Sequence, residues 1–387
     1  MVHFVSVLKL HPLLPRKVMC REKRMIRKEG CTKMLRLNSK FGQARRSFLA
    51  PALRFFLIAI GALAAHPCLA QELSATSFAA ERQIFRLPSE IPAPPENLPT
   101  PERVELGKML FFDPRLSGSN WISCASCHNP SLGWSDGLPT GVGDGMRALG
   151  RKTPSLVNSG FNTINMWDGR APTLEAQAWT PMLESAEMHG SEEAILVKLK
   201  AIPGYVSAFA KAYPGEGITK ETIGKAIASF ERTIISRDSP FDRWVAGEDS
   251  ALSDSAKRGF ALFTGKANCT ACHQGSNFTD QGFHNLGLKG SADPGRFAIV
   301  PVRISRGAFK TPTLRDVTLT APYMHNGAYR TLDEVIDHYD RGGDAKENLD
   351  PNMRPLGLTD QEKRDLVEFL KGLTGKQQPV VLPRLPQ

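Results

Sequence analysis

The sequence predicts a mostly α-helical protein built from two related domains, and three observations predict it. A short cysteine–histidine motif occurs twice, as Cys124-Ala125-Ser126-Cys127-His128 and as Cys269-Thr270-Ala271-Cys272-His273. Downstream blocks recur 158 residues apart. Lys152-Thr153-Pro154-Ser155-Leu156 returns as Lys310-Thr311-Pro312-Thr313-Leu314, Trp167-Asp168-Gly169 as His325-Asn326-Gly327, and Thr173-Leu174-Glu175 as Thr331-Leu332-Asp333. Several stretches space their apolar residues as a helix does, and no long alternating run of the kind a half-buried strand needs is present. Three blocks in one register argue for an internal duplication.

Each C-x-x-C-H reads as the attachment site of a c-type haem. Cys124 with Cys127, and Cys269 with Cys272, would add across the two vinyl groups of one porphyrin each. His128 and His273 would each present an imidazole to the iron. The competing reading is a zinc or thioredoxin-like C-x-x-C pair that happens to precede a histidine. Two copies, in an exported chain with no other cysteine in its mature part, argue against that. The expected cofactors are therefore two covalently bound haems c, and the expected fold is two cytochrome c-like haem domains. With all four cysteines engaged, no disulfide is expected even in an oxidising compartment.

The formal charge of +10 over 387 residues belongs to the leader. Residues 1–70 carry 14 Lys and Arg against 2 Asp and Glu, and the rest carries 35 against 37. The basic excess thus gives no support for nucleic-acid binding. Arg45-Arg46-Ser47-Phe48-Leu49 precedes an apolar run from Phe55 to Ala65, and Cys68-Leu69-Ala70 ends it as a small-residue cleavage signal. That run is shorter than the ~20 residues a membrane span needs, so a signal peptide and a periplasmic protein without a stable membrane anchor are expected. Arg45-Arg46 resembles a twin-arginine signal, but haem attachment after export favours the Sec route. Residues 1–33 exceed what a signal requires, and Met34 is the expected start. Cys20, Cys31 and Cys68 leave with the leader.

In order, residues 71–100 form a proline-rich arm, extended rather than helical. A first haem domain is expected over 101–245 and a second over 246–387. Thr100 as cap and Pro101 at the first position start a helix that runs to Phe112. Ser253 to Phe263 is its counterpart, and both carry a Gly-x-x-Leu-Phe pattern ahead of their C-x-x-C-H. Further helices are expected over 192–211, from Lys220 to about Ile235, and over 359–373, with loops over 129–154 and 274–301. The polar stretch 236–250 is a candidate boundary.

A haem that only carries electrons fills both axial positions, whereas one that activates peroxide keeps one open. Carried 158 residues forward, Pro181 falls on Tyr339. Proline cannot bind iron and a phenolate can, so the repeat points to an open haem 1 and a haem 2 capped by Tyr339. Taken alone, Tyr339 is an ordinary half-buried aromatic. His338, His325, Met324 and Met353 compete with it.

These blocks resemble the bacterial dihaem cytochrome c peroxidase superfamily over 100–373. The resemblance rests on Leu110-Phe111-Phe112-Asp113-Pro114-Arg115-Leu116, the two C-x-x-C-H motifs, Trp167-Asp168-Gly169-Arg170-Ala171-Pro172, and Leu319-Thr320-Ala321-Pro322-Tyr323-Met324-His325-Asn326-Gly327. It implies Trp167 as an electron relay between the haems, and Gln177 and Glu187 as the peroxide-handling pair at haem 1. Glu187 would move the peroxide proton from the inner to the outer oxygen. Without the family, Glu187 is an acid beside Met188 in a loop, more often solvated than catalytic. Asp144 stands where ordinary members carry a distal histidine, and Tyr339 where they carry methionine. Both departures resemble the MauG-like branch. The family also implies a calcium ion between the haems, held by carbonyls matching Thr320 and Pro322 and by an asparagine that is Lys152 here. A protonated lysine cannot ligate calcium. Either its ammonium replaces the ion's charge, or the side chain turns outward and the ion stays.

The expected function is a periplasmic dihaem peroxidase. Hydrogen peroxide reacts at haem 1, and oxidising equivalents shared through Trp167 with the Tyr339-ligated haem 2 oxidise an external donor, a partner protein in MauG-like enzymes. The first rival is peroxide detoxification with electrons from a small cytochrome c or cupredoxin. The second is a non-enzymatic dihaem electron carrier, which a six-coordinate haem 1 would favour.

Overall fold

Serine and threonine hydroxyls set where the helices begin. In the computed structural model, which describes residues 81–376 and 379–387, these helices are α1 (Pro101–Phe112), α2 (Leu174–Leu183), α3 (Glu192–Lys200), α4 (Pro203–Ala212), α5 (Lys220–Glu231), α6 (Pro240–Val245), α7 (Asp254–Thr264), α8 (Leu332–Asp340) and α9 (Asp360–Lys371). All but α4 start after a Ser or Thr whose side chain accepts the amide three residues on: Thr100, Thr173, Ser191, Thr219, Ser239, Ser253, Thr331 and Thr359. Each cap satisfies an amide the helix itself leaves unpaired, worth about 1 kcal/mol. The leader, with Arg45-Arg46, Met34, Cys20, Cys31 and Cys68, and residues 71–80 of the arm lie outside the described residues.

Two helix expectations need correction. The single helix over 192–211 is two, because Pro203 holds Ile202 in an extended conformation (φ −105°, ψ 106°) and starts a new helix. The helix from Lys220 stops at Glu231 rather than Ile235; Thr233, Ile234 and Ile235 form a β-branched run that favours leaving the helix. Between the helices lie loops and short 3₁₀ turns. The named strands among the described residues are two-residue β1 (Phe283–His284) and β2 (Phe309–Lys310), paired antiparallel.

Each half is organised on one helix crossing. α1 crosses α5 at Gly107, where a Cβ would stand 1.9 Å from the Ala226 carbonyl oxygen. α7 crosses α9 at Gly259, where it would stand 2.0 Å from the Asp365 oxygen. The shared Gly-x-x-Leu-Phe pattern is thus a packing requirement: glycine lets the partner helix close in, and Phe111 and Phe263 fill the core beside it. The first core gathers Leu106, Leu110, Phe111, Trp179, Ile223, Ile227 and Phe230. The second is rich in rings, with Phe241, Phe260, Phe263, Phe278 and Phe369 in mutual contact. Phe241, Trp244 and Val245 of α6 belong to this second core.

The described part of the arm is pinned to both halves. Phe85 is fully buried in the second core, stacked on Phe278 at 5.0 Å. Farther on, Arg232 donates to the Pro92 carbonyl and Arg237 to that of Pro88. Asn97, after a short 3₁₀ turn, is buried against Glu175 and Lys225 of the first half.

Candidate active site

Both cysteine–histidine motifs open on one cavity of about 1110 Å³, whose wall also includes Trp167, Gln177, Pro181, Glu187, Thr320, Pro322 and Tyr339. The first motif is a single helical turn, Cys124–Cys127, held by a reciprocal Ser123–Ser126 cap. The second is a 3₁₀ turn over Cys269–Ala271. In each the histidine amide donates back to the first cysteine's carbonyl, at 2.9 Å for His128 and 2.8 Å for His273. His128 Nδ1 donates to the Trp134 carbonyl (3.1 Å) and His273 Nδ1 to that of Phe278 (2.9 Å). The tautomer is thereby set, and Nε2 is left for the cavity. Burial lowers both pKa values, His273 to about 4, so both rings are neutral, the form that binds a metal. Paired thiols beside a neutral, oriented imidazole, twice on one cavity, fit two haems.

Gln177 and Pro181 project from α2. Gln177 is buried and its Oε1 has no hydrogen-bond partner among the described residues, an orphan acceptor on the cavity wall. Glu187 follows α2 in a loop, and its backbone carbonyl accepts the Asp144 amide at 2.7 Å. Burial raises its pKa, an effect the Arg170 guanidinium 3.8 Å away partly opposes. A carboxyl that holds its proton more readily than usual suits a proton-exchanging role. Asp144 is not part of the cavity wall; its carboxylate accepts from the Ser119 hydroxyl.

Tyr339 projects from α8 at the position matching Pro181 on α2. Its hydroxyl has no hydrogen-bond partner among the described residues. Burial pushes its pKa up, as does the nearness of Cys269 and Cys272. Of its sequence rivals, His338 has both ring nitrogens engaged, with the Leu286 carbonyl and with Tyr329 and Asp344. His325 is stacked on Phe309 at 3.5 Å and bonded to Ser291.

Trp167 lies where the halves meet. Its Nε1 donates to the Lys152 carbonyl (2.8 Å), its own carbonyl accepts from Lys310 (2.8 Å), and the Lys152 amide donates to His325 (2.7 Å). Next to it, buried Asp168 pairs with Arg151 (2.6 Å) and Arg170 (2.9 Å), and Arg151 reaches across to Asp293 (2.7 Å). Arg296 donates to the Asp168 and Gly169 carbonyls. This charged seam clamps the loop that carries Trp167.

Lys152 does not turn outward. It is buried, its ammonium donates to Ser135 Oγ (3.2 Å) and to the Leu138 carbonyl (3.4 Å), and burial lowers its pKa. The outward-facing alternative is corrected.

Two further acids and bases escaped the sequence reading. Glu231, at the end of α5, is buried in the cavity wall with Oε2 unpartnered, and burial lifts its pKa to about 8. His284 sits between Asp280 (2.8 Å) and Asp350 (2.7 Å); hydrogen bonding, chiefly to Asp280, lifts its pKa to about 11. Cys272, Asp280 and His284 together have metal-binding spacing, but a haem on Cys272 would consume that thiol. Neither acid nor base stands in a motif, so nothing in the sequence marks them.

Residues 101–250 match the family model described as Di-haem cytochrome c peroxidase, and residues 256–374 that described as Cytochrome c. The chain is 48% identical to the methylamine utilization protein MauG of Methylorubrum extorquens, over 81% of this chain and 90% of that one. It is 38% identical to the cytochrome c551 peroxidase of Pseudomonas aeruginosa, over 73% and 81%. Among solved structures, a MauG-like protein associated with microbial copper homeostasis superposes with a TM-score of 0.69 at 33% identity, covering 75% of this chain and 95% of that one.

Proposed function

Since this chain belongs to the MauG-like branch of the di-haem cytochrome c peroxidase family and is a mostly helical oxidoreductase acting on peroxide, we propose that its two haem sites divide the work. The first admits peroxide, and the second stores oxidising equivalents for an external donor. The observation that carries this reading is the pair Pro181 and Tyr339, at matched positions of α2 and α8 on one cavity.

The haems, when attached, supply redox-active iron and a conjugated ring over which oxidising equivalents spread. Cys124 and Cys127 would hold haem 1 and Cys269 and Cys272 haem 2, with His128 and His273 as proximal ligands. The open distal side of haem 1 would rest on Pro181, whose side chain has no ligand atom, and on Asp144, whose carboxylate accepts from Ser119 instead. Gln177 would orient peroxide through its free Oε1. Glu187 would accept the proton of the inner peroxide oxygen and return it to the outer one, so that water can leave. At haem 2, burial keeps the Tyr339 phenol neutral on its own; a metal cation beside it reverses that preference. The phenolate so formed would favour the more oxidised states of haem 2. Trp167, tied to Lys152 and Lys310 between the halves, would be the relay. Thr320 and Pro322 line the cavity and would offer their carbonyls as calcium ligands, with buried Lys152 at the sequence position of a third.

The donor would be a periplasmic protein substrate or a small electron-donor protein, met after export by the leader. The test is the spectrum of the diferric protein. One high-spin and one low-spin haem, with peroxide reacting without prior reduction, is expected. Two low-spin haems, with cyanide binding only after half-reduction, would replace this reading by the ordinary peroxidase one.

A further inference from the structure

A second tyrosine stands beside the haem 2 site, and the reaction above does not use it. Tyr329 is half-buried two residues before the Thr331 cap of α8. Its hydroxyl lies 2.9 Å from His338 Nδ1 and 3.1 Å from Asp344 Oδ2. His338 is fully buried, and its Nε2 is 2.9 Å from the Leu286 carbonyl. A carbonyl only accepts, so Nε2 carries a proton. If Nδ1 is bare, it accepts the Tyr329 proton. If Nδ1 is protonated, it donates, and the Tyr329 proton turns to Asp344. In both states the phenol proton has an acceptor already in hydrogen-bond contact.

The rings also run in series. The Tyr329 ring centroid is 5.3 Å from that of His338, which is 5.8 Å from that of Tyr339. One end of this series lines the cavity beside Cys269 and Cys272; the other ends in the exposed Tyr329–Asp344 hydrogen bond. The positions 158 residues earlier are Ala171, Thr180 and Pro181, none of which can be oxidised by one electron at a comparable cost.

We propose that Tyr329 is a redox relay residue, through which oxidising equivalents held at haem 2 reach the surface and are consumed by an external one-electron donor. The inference rests on Tyr339 facing haem 2. Tyr329 loses one electron through His338 and Tyr339 to the haem 2 centre, which is reduced by one electron. The phenolic O–H bond breaks and the proton passes along the existing hydrogen bond to Asp344 or His338, leaving a neutral phenoxyl. The donor then gives one electron to the phenoxyl and the proton returns to oxygen. Hydrogen peroxide is the oxidant, and two such cycles consume the two equivalents that one peroxide supplies. Without an adjacent acceptor the first step would leave a cationic phenol, which is why the His338–Asp344 pairing matters.

The experiment mixes the diferric holoprotein with hydrogen peroxide and a nitroso spin trap, without donor, and locates the adduct by peptide mass spectrometry. An adduct on Tyr329 is expected, with a tyrosyl signal in freeze-quench EPR that Tyr329→Phe abolishes. That variant keeps the ring and should keep the resting haem 2 spectrum, while donor oxidation slows on the order of tenfold or more. An adduct confined to other residues, or a radical signal unchanged in Tyr329→Phe, overturns the relay. The ligand reading is checked apart from it. A phenolate-to-iron band in the resting spectrum, lost in Tyr339→His, together with no Tyr329 adduct, overturns the relay alone. Absence of that band overturns the ligand.

Discussion

The two halves of this molecule share a frame and differ in what they place on it. α2 and α8 both start after a threonine cap followed by leucine (Thr173-Leu174 and Thr331-Leu332), and both face the common cavity. At the same helical position α2 carries Gln177 and α8 Val335; one turn on, α2 carries Pro181 and α8 Tyr339. The α1–α5 and α7–α9 crossings match at Gly107 with Ala226 and Gly259 with Asp365. Five residues beyond each contact stand Glu231 in the first half and Leu370 in the second, both on the cavity wall. At these matched positions the first half therefore sets an amide, a proline and a carboxyl against the second half's valine, phenol and leucine. Duplication supplies the architecture; a few substitutions that leave the crossings intact divide the chemistry.

The comparison can be broken most severely by giving the first half the second half's ligand. Pro181→Tyr should place a phenol over haem 1 and remove nearly all peroxide turnover, with haem 1 turning low-spin in EPR. If turnover persists, the two positions are not equivalent. Glu187→Gln should slow the peroxide reaction by ~10²–10⁴-fold and leave the haem 2 spectrum unchanged; stopped-flow rates within a factor of two of the wild type would remove Glu187 from the chemistry.

The seam offers a smaller effect, on stability. Asp168→Ala leaves Arg170 with only its longer 3.8 Å contact to Glu187, and Arg151 with only Asp293. Breaking a buried pair costs about 3 kcal/mol, so Tm should fall on the order of 5 °C, with Trp167 fluorescence reporting a loosened environment.

The smallest effect concerns Glu231. Its pKa of about 8 in the folded protein lies above the ordinary carboxyl value, so the folded state holds this proton more tightly than the unfolded one. Its contribution to stability is full below the ordinary carboxyl pKa and is lost as pH rises through about 8. Glu231→Gln should flatten the decline of Tm over that window and raise Tm by a few degrees above pH 8. Leu370→Gln, its counterpart, should lower Tm at every pH.

Much of this was legible in the chain. The capping threonines and serines, Pro101, and the Gly-x-x-Leu-Phe pattern are local signals, and each is satisfied by the local contact it implies. The repeat also disclosed the Pro181–Tyr339 contrast, because one register carries it across 158 residues. The break at Pro203 was equally local and was overridden by an apolar period that runs on past it. Other features depend on partners far away. Glu231 reads as the exposed end of an amphipathic helix until the cavity is built against it. Lys152 could, from the sequence, either take the place of the ion's charge or face outward, until Ser135 and Leu138 are seen to close around it. Tyr329 gains meaning only from His338 on α8 and from Asp344, which the turn after α8 brings to it.

The arm holds one more consequence. Phe85 completes the ring cluster of the second half, and its carbonyl is bonded by Arg315, 230 residues later. A chain synthesised from its N-terminus makes this phenylalanine early and must wait for most of itself to appear before the ring has a place to go. Contacts so distant in sequence form late and slow folding. The half whose motif is made last is thus finished by a residue made first. Removing that ring would leave a hole worth about 3–5 kcal/mol, felt at Cys269–His273 rather than at the end of the chain where the change was made.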